Sequence, residues 1–183
     1  MIYSYDGRDL VLKKRLISGS NGTIYDTQYS YDDDGRLVLV TNNDGKHKGF
    51  VYNTLNQVTR VRDENGNRTD MTYDYLGNML TQTQYLQGNG NAPATLVTTS
   101  YEYDIMNNLI SMTDAEGNTS RFVYDGLGRM IEEIYPDGKK NRYSYDVMDN
   151  VTQTIDPNGN VVSNDYDILN RLVERNIVRG AGV

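Results

Sequence analysis

The sequence predicts an all-β protein made of repeated antiparallel β-hairpins, with about 21 residues in each repeat. Three observations predict this class. A tyrosine recurs at nearly constant spacing, turn-forming residues recur at two fixed distances from it, and aromatic or apolar residues occupy the positions between the turns. The composition agrees, because the 183 residues include 16 Tyr, which favours strands, and 17 Gly, which favours turns.

Each repeat begins at an anchor tyrosine, which is followed by Asp or, once, by Asn. Five of the seven intervals between consecutive anchors are 21 residues long, and the two longer intervals indicate insertions near 13–21 and at 86–94. The chain is therefore predicted to be a single array, 1–183, of about eight units. The anchor tyrosines are Tyr5, Tyr31, Tyr52, Tyr73, Tyr103, Tyr124, Tyr145 and Tyr166.

A first turn is predicted directly after each anchor. The residue four positions after the anchor is always Gly, Asn or Asp, the residues that most readily adopt a positive φ. The Asp one position after the anchor is expected to accept hydrogen bonds from backbone amides of the same turn. The predicted left-handed residues are Gly35, Asn56, Gly77, Asn107, Gly128, Asp149 and Asn170.

A second turn is predicted 13 and 14 positions after the anchor, where Asp-Gly, Asn-Gly or Glu-Gly pairs recur. Such pairs are typical of type I′ hairpin turns, in which two consecutive residues have positive φ. The pairs are Asp44-Gly45, Asn65-Gly66, Glu116-Gly117, Asp137-Gly138 and Asn158-Gly159.

Two strands are predicted in each repeat, one on either side of the second turn. The first covers about positions 5 to 11 after the anchor and includes a constant apolar residue at position 6. The second begins near position 16, ends at the next anchor, and carries an aromatic or Met residue two positions before it. Eight units would give about sixteen strands. Asn164 breaks the aromatic column, which predicts that the last such strand is peripheral.

The composition excludes several classes of site. Without Cys there are no disulfides, zinc-thiolate sites or thiol nucleophiles, and one His cannot form a two-His metal site. A net charge of −7 argues against nucleic-acid binding. The sequence contains no run of 18 apolar residues, so no membrane-spanning helix is predicted. No catalytic residue, cofactor-binding residue or metal ligand is therefore predicted.

The repeat resembles that of the YD-repeat proteins, also called Rhs proteins. The resemblance rests on three segments and covers nearly the whole chain: Tyr124-Asp125-Gly126-Leu127-Gly128-Arg129-Met130, Asp137-Gly138 and Tyr143-Ser144-Tyr145-Asp146. Bacterial Rhs toxins, shell-forming subunits of insecticidal toxin complexes, and teneurins carry this repeat. The resemblance implies a curved or spiralling sheet that is part of a hollow β-shell. In the bacterial members the shell encloses a C-terminal toxin, and in teneurins it displays surfaces for adhesion partners.

The resemblance also bears on the boundaries and location of the protein. The self-cleavage motif that usually closes the shell does not follow Leu172, so we expect the 183 residues to be a section of a longer array. The resemblance implies a secreted or cell-surface location as part of a larger exported bacterial protein.

Several clusters of polar residues resemble metal-binding or catalytic sites, but a structural role in turns and strands is the favoured interpretation. Acid-rich segments lack the Gly and Glu spacing of an EF-hand loop, and no carboxylate pair stands out as that of a glycosidase. His47 and the 139–142 segment follow turns and are expected to be exposed. The acid-rich segments are 32–35, 63–67 and 156–160, and Asn-x-Ser/Thr sequons begin at Asn21, Asn67, Asn118 and Asn150.

The leading functional hypothesis is a non-catalytic section of a shell that encapsulates cargo. Its partners would be the remainder of the parent shell and an enclosed C-terminal toxin or other cargo. The alternative is an extracellular interaction module that binds carbohydrate or a cell-surface partner through exposed residues such as Tyr75 and Tyr135. Open sheet edges further predict self-association.

Overall fold

Strands and turns account for nearly all of the chain in a computed structural model, which describes residues 1–18, 23–86 and 95–180. The predicted all-β class is confirmed, and within these residues no helix is long and apolar enough to cross a bilayer. The sixteen strands of the described residues are β1 (Ile2–Tyr5), β2 (Val11–Ser18), β3 (Thr23–Tyr31), β4 (Leu37–Thr41), β5 (His47–Tyr52), β6 (Val58–Arg62), β7 (Arg68–Tyr73), β8 (Met79–Leu86), β9 (Thr95–Tyr103), β10 (Leu109–Thr113), β11 (Thr119–Tyr124), β12 (Met130–Ile134), β13 (Lys140–Tyr145), β14 (Val151–Ile155), β15 (Val161–Tyr166) and β16 (Leu172–Val178).

The strands form two compact units, Met1–Thr98 and Thr99–Val183. The first contains β1 to β8 and the beginning of β9. The second contains the rest of β9 and β10 to β16. In each unit the strands neighbour one another in chain order, and the paired strands are antiparallel, as expected of consecutive hairpins.

The predicted repeat places the strands to within about one residue. After the anchor Tyr52, β6 occupies positions 6 to 10 and β7 occupies positions 16 to 21, ending on the next anchor, Tyr73. The two predicted insertions fall largely on 19–22 and 87–94, which lie outside the described residues. The strands beside them, β2, β3, β8 and β9, have eight or nine residues each instead of five or six.

A β-bulge follows every anchor turn for which the pairing is described. In the β5–β6 pair, Tyr52 faces Val58 and Val51 faces Arg60, so Thr59 is the extra residue. The same shift occurs where β13 meets β14, between Ser144 and Tyr145. A bulge breaks the regular ladder and turns a carbonyl out of line, which leaves that carbonyl open to a side-chain donor.

The second turn of the repeat differs from its prediction. A type I′ turn needs two consecutive positive φ values, but only the glycine of each pair has one, as in Gly45 at 80° after Asp44. The hydrogen bonds show why. The Asn42 amide donates to the Lys46 carbonyl and the Gly45 amide donates to the Asn42 carbonyl, the pattern of a three-residue loop that ends in one left-handed residue. The type I′ prediction was wrong.

The sheet has no buried hydrophobic core within the described residues. The most buried residue is Asn164, at 6% exposure. Its strand, β15, pairs with both β14 and β16, so the prediction that this strand is peripheral was wrong. Both faces of the sheet remain largely accessible.

Candidate functional site: the anchor turns and their links

The anchor turn is built around the side chain of its first residue. In the turn that begins at Asp104, Oδ1 accepts the backbone amides of Met106 and Asn108 at 2.9 and 2.8 Å, while Oδ2 accepts the Asn108 side-chain amide at 3.0 Å. Asn107 adopts the predicted positive φ, 71°. One short side chain thus makes three hydrogen bonds with the turn, as the sequence predicted for the backbone part.

All seven predicted left-handed residues have positive φ, so this column is confirmed. The first repeat supplies an eighth case, Asp9 at 61°, four residues after Tyr5. The spacing from the anchor identifies Asp9 once the first repeat is aligned with the others.

The second turns that begin at Asp63, Asp114 and Asp156 repeat the same chemistry, which sequence reasoning missed. Asp114 Oδ1 accepts the amides of Glu116 and Asn118, both at 2.9 Å, and its Oδ2 accepts the Asn118 side-chain amide at 2.9 Å. Asp63 and Asp156 make the corresponding bonds. The signal lies in the sequence as Asp followed four residues later by Asn or Arg, and it occurs in both halves of the repeat.

The hydroxyl of the anchor tyrosine makes a hydrogen bond at the open end of the hairpin, away from the second turn. The Tyr124 hydroxyl donates to the backbone carbonyl of Leu109 at 2.9 Å, and burial raises the Tyr124 pKa. The acceptor is the residue six positions after the preceding anchor, next to the bulge. The same bond is made by Tyr31 to Val11, Tyr52 to Leu37, Tyr73 to Val58, Tyr145 to Met130 and Tyr166 to Val151.

Arginine at the fifth position after the anchor links one anchor turn to the next. Arg129 pairs with Asp125 of its own turn at 2.7 Å, and its Nη1 donates to the Asp146 carbonyl and to Asp149 Oδ1, both at 2.8 Å. Its guanidinium carbon lies 4.8 Å from the centre of the Tyr145 ring. This arrangement accounts for the Tyr-Asp-x-x-Gly-Arg motif, because Asp and Gly shape the turn, Tyr binds the preceding repeat and Arg binds the following one.

Arg36 makes the equivalent set of contacts in the first unit. It pairs with Asp32 at 2.7 Å, donates to the Asn53 carbonyl at 3.3 Å and to Asn56 Oδ1 at 2.7 Å, and lies over the Tyr52 ring. In both cases the left-handed residue of the following turn is Asn or Asp and its side chain accepts the bond. A Gly there would give the backbone conformation without the acceptor.

The face of the sheet opposite the anchor tyrosines carries ion clusters that sequence reasoning also missed. In each cluster one carboxylate lies between two basic side chains on paired strands. Glu132 pairs with Lys140 at 3.1 Å and Arg142 at 2.8 Å, so the 139–142 segment is more than an exposed strand end. Asp26 pairs with Lys13 and Arg15, and Asp70 pairs with Arg60 and Arg68.

The acid-rich segments of the sequence become turns. Asp32 begins an anchor turn, and Asp63 and Asp156 begin second turns. The side-chain amide of Asn108 lowers the pKa of Asp104, and the Arg129 guanidinium lowers that of Asp125. In the described part of the chain no three His, Asp or Glu side chains are grouped to hold a metal ion.

The remaining candidates are also placed. His47 begins β5 and is exposed. The sequon residues Asn67, Asn118 and Asn150 each donate their side-chain amide to a turn Asp, so they hold the turns. Asn21 lies outside the described residues. Tyr75 is 87% exposed, as expected, but Tyr135 is half-buried, because its hydroxyl donates to Glu133 and accepts from Asn141.

Comparison with known proteins identifies the repeat. A model of the RHS Repeat family matches residues 52–92, 107–140 and 124–161, which together cover more than half of the chain. The chain is similar to the tRNA3(Ser)-specific nuclease WapA of Bacillus spizizenii, with 34% identity over 120 residues, or 58% of this chain and 5% of WapA.

Two solved structures share the fold at low sequence identity. The crystal structure of TcdB2-TccC3 has a TM-score of 0.81 at 16% identity, over 98% of this chain and 10% of that one. The structure of TcdB2-TccC3-TEV has a TM-score of 0.80 at 16% identity, over 99% of this chain and 10% of that one. The chain thus spans at most a tenth of the length of these relatives. From its turns, its tyrosine hydrogen bonds and the family match, the chain belongs to the Rhs-repeat family.

Proposed function

We propose that this chain is one array of about eight units and forms a structural section of an Rhs shell. The shell would enclose a C-terminal toxin or other cargo within a larger exported bacterial protein. The observation that carries the proposal is the recurring link between neighbouring repeats, through the anchor tyrosines and through Arg36 and Arg129, in a sheet without a buried core. Links of this kind let an array extend repeat by repeat, because each unit depends on its neighbours.

Enclosure is tested by limited proteolysis of the full-length gene product that contains this section. We expect the C-terminal part to resist protease in the wild type. We expect it to be cleaved faster when Arg129→Ala and Tyr124→Phe remove links between repeats. The control is the C-terminal part produced alone, without the repeat array. If protease cleaves it no faster than it cleaves the same part within the wild-type protein, enclosure is contradicted.

The section itself is proposed to be non-catalytic. Its turn carboxylates already accept two or three hydrogen bonds, and lowered pKa values keep them charged, whereas a general acid needs a raised pKa. Because WapA is named a tRNA nuclease, the direct test is to incubate the 183-residue chain with total tRNA and separate the products by gel electrophoresis. We expect intact tRNA, and cleavage that follows the purified chain would refute the proposal.

The alternative is an interaction module that binds carbohydrate. One observation favours it: Tyr25, at 51% exposure, lines an open cavity of about 350 Å³ together with Asn42, Asn43 and Asp44. An aromatic face beside amide and carboxylate groups suits a sugar ring. Saturable binding on a glycan array that is lost in Tyr25→Ala, but kept in Tyr75→Ala, would favour this alternative over the shell.

We also propose that the open strand edges take part in self-association. Among the described strands, β1 pairs only with β2, and β16 pairs only with β15. All residues of β1 and β16 are exposed, so each edge offers unpaired backbone groups to another strand.

A further inference from the structure

Large apolar side chains occupy the tips of the anchor turns in the second unit. Ile105, Val147 and Ile168 are 100%, 96% and 97% exposed, and they stand at the same position in three different turns. The residues that follow them, together with one residue of the turn between, are also exposed and apolar. This apolar ridge consists of Ile105, Met106, Leu127, Val147, Met148, Ile168 and Leu169.

The turn geometry causes this exposure. The first residue of each anchor turn binds the backbone amides of the third and fifth, as Asp146 binds those of Met148 and Asn150. The backbone therefore closes around the carboxylate, and the second and third side chains lie at the rim of the sheet. Consecutive anchor turns are two strands apart, or roughly 9.5 Å, so the four turns form a ridge roughly 30 Å long.

The opposite rim of the same unit has different chemistry. The corresponding tip positions of its second turns are small, Pro or polar residues, namely Ala115-Glu116, Pro136-Asp137 and Pro157-Asn158. Both rims contain the same kind of turn, so turn formation does not require the apolar residues. Their restriction to one rim points to a contact made by that rim.

The exposed area is sufficient for a stable contact. At these exposures the ridge presents on the order of 1,000 Å², compared with about 800 Å² per partner in a standard protein interface. The largest apolar patch on an ordinary monomer is roughly 300–600 Å².

We propose that the ridge is an interface with a second copy of this chain, in which two ridges lie antiparallel about a two-fold axis. The apolar tips of the ridge recur every two strands. A second ridge has the same spacing, so its side chains can lie between successive tips of the first ridge along the whole length of the contact. The tips of the opposite rim are small, Pro or polar residues and include the charged Glu116 and Asp137, so that rim is a poorer partner for the ridge than a second ridge. This surface is distinct from the strand edges β1 and β16.

The test is sedimentation equilibrium of the 183-residue chain, with variants on two surfaces. We expect the wild type to form a dimer, and the ridge variant Ile105→Glu, Val147→Glu, Ile168→Glu to raise the dimer dissociation constant at least tenfold. The matched control, Val51→Glu, Leu80→Glu, Val123→Glu, places the same three charges on exposed apolar residues of β5, β8 and β11, away from the ridge and from the strand edges, and should leave that constant within threefold. Far-UV circular dichroism establishes that each variant is folded.

A second measurement does not depend on charged variants. Because the chain has no Cys, Ile105→Cys and Ile168→Cys proteins can be mixed and oxidised. An antiparallel ridge contact brings Ile105 of one copy near Ile168 of the other, so the mixed disulfide should exceed the sum of the two homodimers, whereas random pairing would make the two amounts equal. A monomeric wild type, a dimer weakened as much by the control as by the ridge variant, or a random distribution of disulfides would overturn the proposal.

Discussion

At the residue scale, the tyrosine anchor has two separable roles. Its ring covers part of the sheet face and, in Tyr145, also receives the Arg129 guanidinium, while its hydroxyl binds the carbonyl beside the bulge of the preceding repeat. Phenylalanine would keep the first role and lose the second. The hydroxyl therefore explains why the anchor column holds tyrosine, whereas two positions earlier Phe50 and Met71 are accepted.

The hydroxyl bond is tested by Tyr124→Phe. Loss of the 2.9 Å bond to Leu109 leaves a partly buried carbonyl without that donor, and we expect the free energy of unfolding to fall by about 1 kcal/mol. Urea unfolding measures the change. Tyr75→Phe is the control, since its side chain is 87% exposed, and it should have almost no effect. Equal effects of the two variants would contradict the role of the anchor hydroxyl.

The left-handed residue is tested at Gly128, whose φ is 78°. We expect Gly128→Val to be less stable than Gly128→Asn by about 1–3 kcal/mol, because a β-branched residue resists positive φ while Asn holds the same position in Asn56 and Asn107. Thermal and urea unfolding compare the two. Gly126→Val, at a position without positive φ and with nothing within 4 Å of an added Cβ, should be tolerated. Equally stable Val and Asn variants at 128 would be inconsistent with the turn.

At the element scale, the 21-residue repeat contains two similar halves, each a strand followed by a turn with the same backbone hydrogen bonds, and in the turns at Asp63, Asp114 and Asp156 the same side-chain hydrogen bonds as well. Asp74 and Asp114 make the same bonds although one follows an anchor and the other does not. What distinguishes the halves is the tyrosine before the first turn and the bulge after it. The hairpin is thus held at both ends, by a carboxylate at the closed end and by a hydroxyl at the open end.

The turn chemistry is tested by exchanging one natural pair for another. The turn at Asn53 replaces the usual Asp and Asn with Asn53 and Gln57, whose side chains bond at 2.7 Å. We expect Asp104→Asn alone to lower the urea midpoint, because an NH2 group then replaces the oxygen that accepts the Asn108 side-chain amide, and Asp104→Asn with Asn108→Gln to recover most of the loss. A double variant no more stable than the single one would show that the pair is not interchangeable.

At the scale of the whole molecule, ladders and turns carry much of the stability, because no apolar side chain of the described residues is fully buried. Heat capacity reports this directly. Ordinary globular proteins unfold with a ΔCp of about 12–15 cal/mol/K per residue, most of it from exposing apolar surface. We expect differential scanning calorimetry to give a clearly smaller value per residue, measured at concentrations where the ridge variant is monomeric. A value in the ordinary range would indicate a core that the sheet does not show.

The pH dependence follows from the turn carboxylates. Hydrogen bonds from Asn78, Asn108 and Asn150 lower the pKa of the respective turn Asp below its ordinary value near 4. Each such group stabilises the fold fully above the unfolded pKa, and this contribution is lost as pH falls through the lower, folded pKa. We expect the urea midpoint to be level from pH 7 to 5 and to fall progressively below about pH 4. A midpoint unchanged at pH 3 would contradict the role of the turns.

The sequence by itself determined the class, the repeat, the strand positions and all seven left-handed residues, because each depends on local conformation and on periodicity. The type I′ prediction failed because Asx-Gly pairs also suit a three-residue loop, and the choice depends on the pairing register of the flanking strands. The Asp residues that begin second turns could have been identified in the sequence, because Asn follows each of them four residues later, as Asn or Arg follows the Asp of many anchor turns.

Only the tertiary structure decided which groups meet across repeats. That Tyr124 reaches the Leu109 carbonyl, that Arg129 reaches Asp149, and that Asn164 is the most buried residue depend on bulges, register and neighbouring strands, which leave no pattern at a single position. The separation of the large apolar tips on one rim from the small, Pro and polar tips on the other has the same origin. Alternate turns are brought to one side only when the hairpins stack, because antiparallel pairing returns the chain to the same rim every second strand.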